Sequence, residues 1–129
     1  MRLKNKKQRM MELARRTSLK SNSRFRVGCV VAKGSRVISF GFNNMLKTHP
    51  SSKSYGNYLH AEVHALLGLP DDILHKATAY VARSRRNAGL AYSRPCAACK
   101  QALRQAGVRG VYYSTDDQDG GYGYVDLQN

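Results

Sequence analysis

The sequence predicts an α/β domain in three layers, α/β/α, with helices on both faces of a central mixed sheet of about five strands. Segments with the apolar spacing of a helix alternate along the chain with short runs of β-preferring residues, which is the order expected of a layered α/β domain. The 129 residues, 42% of them hydrophobic, suffice for one core and are too few for two. Residues 1–129 are therefore expected to form a single domain, with a basic helix at about residues 6–20 and a core at about residues 24–129.

The first half of the chain predicts a helix, a two-stranded hairpin and a second helix, at residues 6–20, 27–32 with 37–42, and 60–69. Apolar Met10, Leu13 and Ala14 recur at helical spacing in the first helix. The turn of the hairpin is Lys33-Gly34-Ser35, which separates two apolar runs. Residues 43–59 are polar, and so long a loop in a small domain is either disordered or functional.

The second half predicts three strands and one further helix, with a strand at residues 77–82, a helix at 95–106, a strand at 108–114 and an edge strand at 124–127. Proline in the first turn and glycine just past the end mark this helix, at Pro95 and Gly107. An arginine-rich loop, residues 83–94, precedes the helix. An acidic, glycine-rich turn, residues 115–123, precedes the last strand.

The charge of the chain is strongly positive, because 22 lysines and arginines against 8 acidic residues give a net charge of +14. A protein this basic attracts phosphates, either on a nucleotide substrate or on a polynucleotide. The first helix is rich in these cations, so we expect it to bind nucleic acid non-specifically or else to present an ordinary solvated face. If the substrate carries a phosphate, the cations that lie nearest to the expected pocket in sequence are Lys53, Arg94 and the arginines of residues 83–86.

The composition excludes several classes of protein. No apolar run approaches the roughly 20 residues that a membrane span requires, so no membrane partner is expected. No apolar stretch follows the basic start, so we expect that residues 1–20 are not a secretory signal. The three cysteines, at positions 29, 96 and 99, are too few for a disulfide scaffold. We therefore expect a reducing, cytoplasmic location.

Two short motifs carry the chemistry of the chain. They are His60-Ala61-Glu62 and Pro95-Cys96-Ala97-Ala98-Cys99. Cys96 and Cys99 stand three positions apart at a helix start, so both thiols project from one face. The positive end of the helix dipole favours the thiolates, which are the form that binds metal. His60 opens the other helix, where the first turn lets both it and Glu62 reach one cavity.

Three such donors beside a carboxylate are typical of a catalytic zinc site, whereas a structural zinc has four protein ligands. His60, Cys96 and Cys99 would hold Zn2+, which lowers the pKa of its water toward about 7. Glu62 would take the proton of that water and pass it to the leaving group. A structural zinc and a redox cysteine pair are the alternatives.

Two further residues could complete a four-ligand site. Cys29 lies in an apolar strand, where a small core residue is more typical than a metal ligand. His64 stands four positions after His60 and could in principle bind metal, but a buried histidine behind the site is the more common arrangement.

These motifs resemble those of the zinc-dependent cytidine/deoxycytidylate deaminase superfamily. The resemblance covers roughly residues 24–114. It rests on Phe25-Arg26-Val27-Gly28, Thr48-His49-Pro50 and residues 60–66 and 95–101. It implies a cytidine-deaminase-like fold and a hydrolytic reaction that replaces the exocyclic amino group of cytosine by oxygen and releases ammonia.

The resemblance implies a role for each matching residue: zinc binding by His60, Cys96 and Cys99, proton transfer by Glu62, and substrate binding by Phe25, Asn43, Ala61 and Arg94. The Ala61 backbone N–H would hold the base carbonyl, Asn43 would contact the sugar or base, and Phe25 would line the base pocket. Core packing of Phe25 and a turn role for Asn43 are the alternatives. Arg94 stands where the superfamily often has serine, threonine or glutamate, and its backbone carbonyl would meet the amino group.

We expect the substrate to be a free pyrimidine nucleoside or nucleotide, namely cytidine, deoxycytidine or a monophosphate of either, and we expect a homo-oligomer. One alternative is a deaminase that edits single-stranded DNA or RNA. For this function the basic helix, the arginine-rich loop and a set of tyrosines would supply the binding surface; these are Tyr112, Tyr113, Tyr122 and Tyr124. A second alternative is a non-catalytic nucleic-acid-binding zinc module, in which Glu62 would have no use.

Overall fold

Six strands of the described residues form one mixed sheet, which is the middle layer of the fold. The computed structural model describes residues 5–44, 59–85, 89–116 and 121–128. The helices are α1 (Asn5–Ser18), α2 (Ala61–Leu66), α3 (Asp71–Leu74) and α4 (Ala97–Gln105). The strands are β1 (Arg26–Lys33), β2 (Arg36–Phe42), β3 (Thr78–Ser84), β4 (Leu90–Ala91), β5 (Gly110–Ser114) and β6 (Tyr122–Asp126).

The strands are ordered β2-β1-β3-β5-β6, and the short β4 pairs with β3 outside this path. β3 and β5 are parallel and are connected through α4, whereas the other pairs are antiparallel. The mixed sheet predicted from the sequence is confirmed. The strand missed is β4, which lies inside the predicted loop 83–94 and, at two residues, is too short to show a period.

Helices cover both faces of the sheet, which confirms the three predicted layers. Because strand residues alternate between the faces, Val30 and Tyr80 pack against the apolar face of α1. Cys29, Val31 and Val81 point the other way, into the core beneath α2 and α4. The candidate functional residues lie on this second side, so α1 is separated from them by the sheet.

Two glycines of the hairpin let helices on opposite faces touch the strand backbone. Gly28 lies under α1, where an added Cβ would overlap the carbonyl oxygen of Ala14. Gly41 lies under α2, where an added Cβ would approach the Ala65 nitrogen to 2.5 Å. Gly41 pairs with Cys29, the residue after Gly28, so both close approaches occur at one place in the hairpin. α2, which carries part of the site, is therefore seated directly on β2.

The helices differ most from the predicted ones after Leu66, at α3 and at the start of α4, while α1 ends two residues before its predicted end. α2 ends at Leu66, before residue 69, and Gly68 then adopts a left-handed φ of +77°, which glycine permits at no steric cost. The one-turn helix α3, which begins directly after Pro70, was missed. α4 begins two residues after its predicted start, because Cys96 has an extended backbone and caps the helix.

Parts of the predicted loops lie outside the described residues, namely 45–58, 86–88 and 117–120. Lys53 and Arg86, two of the expected phosphate-binding cations, are among them. At the two ends of the first gap, Asn44 and Leu59 exchange backbone hydrogen bonds of 2.9 and 3.1 Å. The edge strand begins at Tyr122, two residues before its predicted start. Within the described ranges, no helix has both the length and the apolar character needed to cross a membrane.

Candidate active site

Two helix starts, those of α2 and α4, meet at the candidate site. His60 directly precedes α2 and Cys96 directly precedes α4. Both residues are extended, with φ and ψ of −78° and 149° for His60 and −66° and 166° for Cys96. Residues two apart lie on nearly opposite sides of a regular helix, but the extended backbone of His60 removes this constraint. As a result, His60 and Glu62 line the same pocket.

Three side chains at these helix starts form a group that could hold a metal ion. One ligand atom from each of His60, Cys96 and Cys99 lies within 4.8 Å of the other two, and Cys99 Sγ is 3.5 Å from His60 Nδ1. A tetrahedral zinc with ordinary bond lengths would separate such a nitrogen and sulphur by about 3.6 Å. The donor set and its spacing therefore fit zinc and leave a fourth position for another ligand.

The two cysteines of this group differ in exposure, since Cys96 is exposed and Cys99 is buried. Cys96 Sγ accepts a hydrogen bond from the Cys99 backbone N–H at 3.4 Å, which places the sulphur at the positive end of α4. Burial raises the pKa of the Cys99 thiol, and the nearby Glu62 charge adds to this effect. A metal cation beside the sulphur would favour the thiolate. Burial and a metal therefore shift the pKa of this thiol in opposite directions.

Glu62 supplies a buried carboxyl beside the donor group, and it is only 5% exposed. It lines the pocket together with His60 and does not belong to the three-donor group itself. Burial raises the pKa of the Glu62 carboxyl, against smaller lowering effects of its own backbone N–H and of the Cys99 thiol. A carboxyl held out of water beside a metal-binding group is well placed to exchange protons with a bound substrate.

The pocket that contains these groups has a volume of about 560 Å³. Its walls come from the residue stretch before β1, the ends of β2 and β3, the start of α2 and the segment that leads to α4. The lining residues are Ser23, Arg24, Phe25, Val27, Asn43, His60, Ala61, Glu62, Arg83, Tyr92, Ser93, Arg94 and Cys96. The predicted site residues are thus brought together at one pocket, with Cys99 buried behind its lining.

Phe25 and Asn43 form one wall. Phe25 is 56% exposed, which excludes core packing, and the Arg83 guanidinium carbon lies 4.5 Å from its ring centroid. The Asn43 Oδ1 accepts a hydrogen bond from the Val27 N–H at 2.9 Å, and its Nδ2 donates to the Phe25 carbonyl at 2.5 Å. Asn43 therefore ties the end of β2 to the start of β1 and holds Phe25 in place. Each polar atom of its amide can still make one more hydrogen bond.

Ala61 and Arg94 also belong to the pocket lining. Ala61 is buried as the first residue of α2, and its N–H is one of the first-turn amides that have no acceptor inside their own helix. The Arg94 side chain is exposed and donates from Nη1 to the Tyr113 hydroxyl at 3.3 Å. Its guanidinium carbon lies 5.7 Å from the centroid of the Tyr113 ring.

Besides the apolar Val27, four lining residues were not found from the sequence: Ser23, Arg24, Tyr92 and Ser93. Ser93 is buried and donates to the Val81 carbonyl at 2.8 Å, while its N–H donates to the Ser114 carbonyl at 2.9 Å. These bonds fix the segment before α4 against β3 and β5. No motif marks any of the four, because they reach the pocket only through the register and packing of the sheet.

The two residues considered as a fourth ligand lie elsewhere. The His64 Nδ1 accepts a hydrogen bond from the Phe42 N–H at 3.0 Å, and the two rings meet edge to face at 5.0 Å. His64 therefore links α2 to β2 behind the pocket. Cys29 is fully buried in the core. Neither residue belongs to the donor group found among the described residues.

Comparisons with known proteins agree with this geometry. The model of one family, the cytidine and deoxycytidylate deaminase zinc-binding region, matches residues 4–115. A probable deoxycytidylate deaminase of Caenorhabditis elegans is 30% identical to the chain, and the match covers 84% of this chain and 56% of that protein. The chain thus spans little more than half the length of this curated relative.

Solved structures share the fold. The dCMP deaminase of the cyanophage S-TIM5 in its apo form is 25% identical, with a TM-score of 0.62 over 84% of this chain and 82% of that one. The cytidine deaminase of Burkholderia pseudomallei is 20% identical, with a TM-score of 0.64 over 93% and 91%. The family match extends across most of the chain and includes both helix starts of the site. The chain therefore belongs to the cytidine and deoxycytidylate deaminase zinc-binding family.

Proposed function

We propose that the chain is a zinc-dependent hydrolytic deaminase, which converts cytosine to uracil in a free pyrimidine nucleoside or nucleotide and releases ammonia. The observation that carries the proposal is the buried Glu62 carboxyl in the same pocket as His60 and Cys96. The relatives support it, since those compared above are named deoxycytidylate, dCMP or cytidine deaminases. Cytidine, deoxycytidine and their monophosphates are the proposed substrates.

His60, Cys96 and Cys99 are proposed to hold the zinc. Their spacing fits a tetrahedral ion, and the start of α4 favours the negative charge of the two thiolates. When bound, zinc lowers the pKa of a coordinated water toward about 7 and so supplies a nucleophile near neutral pH.

Glu62 is proposed to move the protons of the reaction. Its carboxylate takes a proton from the attacking water and delivers it to N3 of the ring as the water oxygen joins C4. The carboxyl then transfers the second proton of that water to the amino nitrogen, which leaves as ammonia when its bond to C4 breaks. The base gains one oxygen and loses the amino group, so cytosine becomes uracil and no redox partner is required.

The substrate contacts follow from the pocket walls. The first-turn N–H of Ala61 faces no acceptor within α2 and is proposed to bind the base carbonyl. The backbone carbonyl of Arg94 is proposed to accept from the amino group. Phe25 supplies an exposed ring on which a base or sugar can pack. Asn43 holds Phe25 in place, and its amide keeps one N–H and one lone pair that can contact the substrate.

A second candidate function is the editing of single-stranded DNA or RNA. The observation in its favour is the pair of exposed aromatic rings at the pocket, Phe25 and Tyr92, since unstacked bases bind to such rings. A non-catalytic zinc module is less well supported, because it needs no buried carboxyl at the site of Glu62. A homo-oligomeric state and a cytoplasmic location belong to the main proposal, and sedimentation of the purified protein tests the first.

One assay separates these functions. Ammonia release is measured from cytidine, deoxycytidine, their monophosphates and a single-stranded oligonucleotide with one cytosine. Turnover of the free compounds supports the main proposal, and faster turnover of the oligonucleotide would replace it by the editing function. No ammonia from any of them, with zinc present in the protein, would support the non-catalytic module.

A further inference from the structure

The rim of the pocket is cationic over the residues that the structure describes. Arg24, Arg83 and Arg94 line it, and Glu62 is the one acidic side chain among the described residues of the lining. No carboxylate in the described ranges pairs with any of the three arginines, since the ion pairs found there join Glu12 to Arg15 and Arg16 on α1. Unpaired guanidinium groups at a pocket mouth attract an anionic part of a ligand.

The register of the sheet places Arg83 at the pocket. Arg83 pairs with Val27 across β1 and β3, and Val27 lines the pocket. On the same face of β3, Ala79 and Val81 are buried in the core. Arg83 is the next residue on that face and the only charged one of the three. Its guanidinium then stacks on the Phe25 ring, which restricts the side chain and reduces the entropy lost on binding an anion.

A second concavity of about 290 Å³ adjoins the pocket on this side. It shares Arg24, Phe25 and Arg83 with the pocket and adds Ser84 and Arg85. The Arg85 segment is held in place, because Arg26 donates from its guanidinium to the Arg85 carbonyl at 2.6 Å. Arg24 and Arg83 thus line both spaces, and no acidic side chain is among the described residues that line the second one.

We propose that Arg24 and Arg83 form a phosphate subsite, and that the second concavity takes a further phosphate of the same ligand. This inference rests on the proposed function, because the base of that ligand would occupy the pocket beside Glu62. The ligand class is a cytosine nucleotide with one or more phosphates on its sugar, and not the bare nucleoside. The phosphates could belong to a free nucleotide or to a nucleic-acid strand, and the experiment distinguishes the two.

The test measures binding of the reaction products, so it does not depend on turnover. Calorimetry on the zinc-loaded protein compares uridine, uridine monophosphate, uridine diphosphate and a short single-stranded oligonucleotide with one central uracil. We expect the monophosphate to bind at least about tenfold more tightly than uridine, as charge-assisted hydrogen bonds do, and the diphosphate to bind more tightly still. Equal affinities for uridine and the monophosphate would overturn the subsite, and a diphosphate no tighter than the monophosphate would overturn the role of the second concavity.

Arg24→Ala and Arg83→Ala should each reduce the affinity ratio of monophosphate to uridine by about tenfold. The matched control is Arg36→Ala, which removes the same charge at the turn of the hairpin, about 23 Å away along the eight-residue β1. An equal loss in the control would mean that net charge alone is responsible and would overturn the proposal. An oligonucleotide that binds more tightly than the diphosphate assigns the subsite to a strand, and the reverse order assigns it to a free nucleotide.

Failure of the proposed function gives a different result. If the wild-type protein releases no ammonia but still prefers the phosphorylated products in an Arg83-dependent way, the phosphate subsite stands and the deaminase proposal falls. If ammonia is released equally from nucleoside and nucleotide and the affinities are equal, the deaminase proposal stands and the subsite falls.

Discussion

His60 and Cys96 occupy the same position in two different helices, because each is the extended residue that directly precedes the first turn, of α2 and of α4 respectively. The side chains of both therefore leave the helix axis and meet at the pocket rather than following the helical spacing. Metal binding is thus coupled to the relative placement of two helix starts.

We expect about one zinc per chain in protein purified without chelator, and loss of that zinc in His60→Ala, Cys96→Ala and Cys99→Ala. Each variant leaves only two donors, which are too few for a stable site. The measurement is metal analysis by mass spectrometry of the purified proteins. His75→Gln, an exposed histidine outside the donor group, is the matched control and should keep full zinc content. Full zinc in Cys99→Ala would contradict the proposed ligand set.

Removal of the metal with a chelator should lower the melting temperature, because a ligand that binds only the folded state stabilises it. The shift should be reversed by added zinc and should be absent in Cys99→Ala. Differential scanning calorimetry at fixed protein concentration measures it. An equal response of wild type and Cys99→Ala to the chelator would show that the metal sits elsewhere.

Glu62→Gln should keep the zinc and the fold but lose turnover by about 10²–10⁴-fold or more, since the amide has nearly the same shape and cannot carry the proton. Ammonia release and metal content are measured on the same preparation. Glu12→Gln is the matched control: Glu12 is the other glutamate of the chain, and it lies on α1, where it pairs with Arg15. Turnover of Glu62→Gln within a few-fold of wild type would remove Glu62 from the mechanism.

Asn43→Ala should destabilise the fold by about 2 kcal/mol, because it leaves the Val27 N–H and the Phe25 carbonyl without their side-chain partner. Urea denaturation monitored by circular dichroism gives the change. Asn22→Ala removes an exposed amide–amide bond and should cost within about 0.5 kcal/mol. Coincident unfolding curves for Asn43→Ala and Asn22→Ala would show that the tie between β1 and β2 does not stabilise the fold.

The charge of α1 should matter for nucleic acid and not for the chemistry, since the sheet separates this helix from the pocket. Replacing Lys6, Lys7 and Arg9 by glutamine should leave deamination of a free monophosphate unchanged. The slope of the logarithm of single-strand affinity against the logarithm of salt concentration should become shallower by about 0.7 per charge removed, or about 2 for the three charges. Fluorescence anisotropy across a salt series measures the slope, and a parallel loss of monophosphate turnover would place the helix at the active site.

Much of the site was predictable because its chemistry is local in sequence. His60 with Glu62, and Cys96 with Cys99, each lie within a few residues at a helix start, so the donor types and their spacing already indicate a metal-binding group. Tyr92 shows the opposite case, because no motif marks it and it still lines the pocket. Its ring meets that of Tyr113 on β5 edge to face at 5.8 Å, so its position depends on tertiary packing.

The fold shows the same division. The α/β order and the hairpin follow from periodicity and turn residues, and the structure confirms both. The strand β4 and the single turn α3 have two and four residues, fewer than a period needs to become visible.

At Gly41 the main chain of β2 packs directly against the main chain of α2, and this contact affects which substitutions the site can tolerate. Where layers are held apart by side chains, each exchange of one apolar residue for another changes their separation slightly. Beneath α2 the spacer is instead the glycine backbone against Ala61 and Ala65, whose dimensions do not vary with sequence. The distance from the sheet to the start of α2 therefore does not depend on which apolar residues fill the surrounding core. The geometry of the candidate site can persist while most of those residues change.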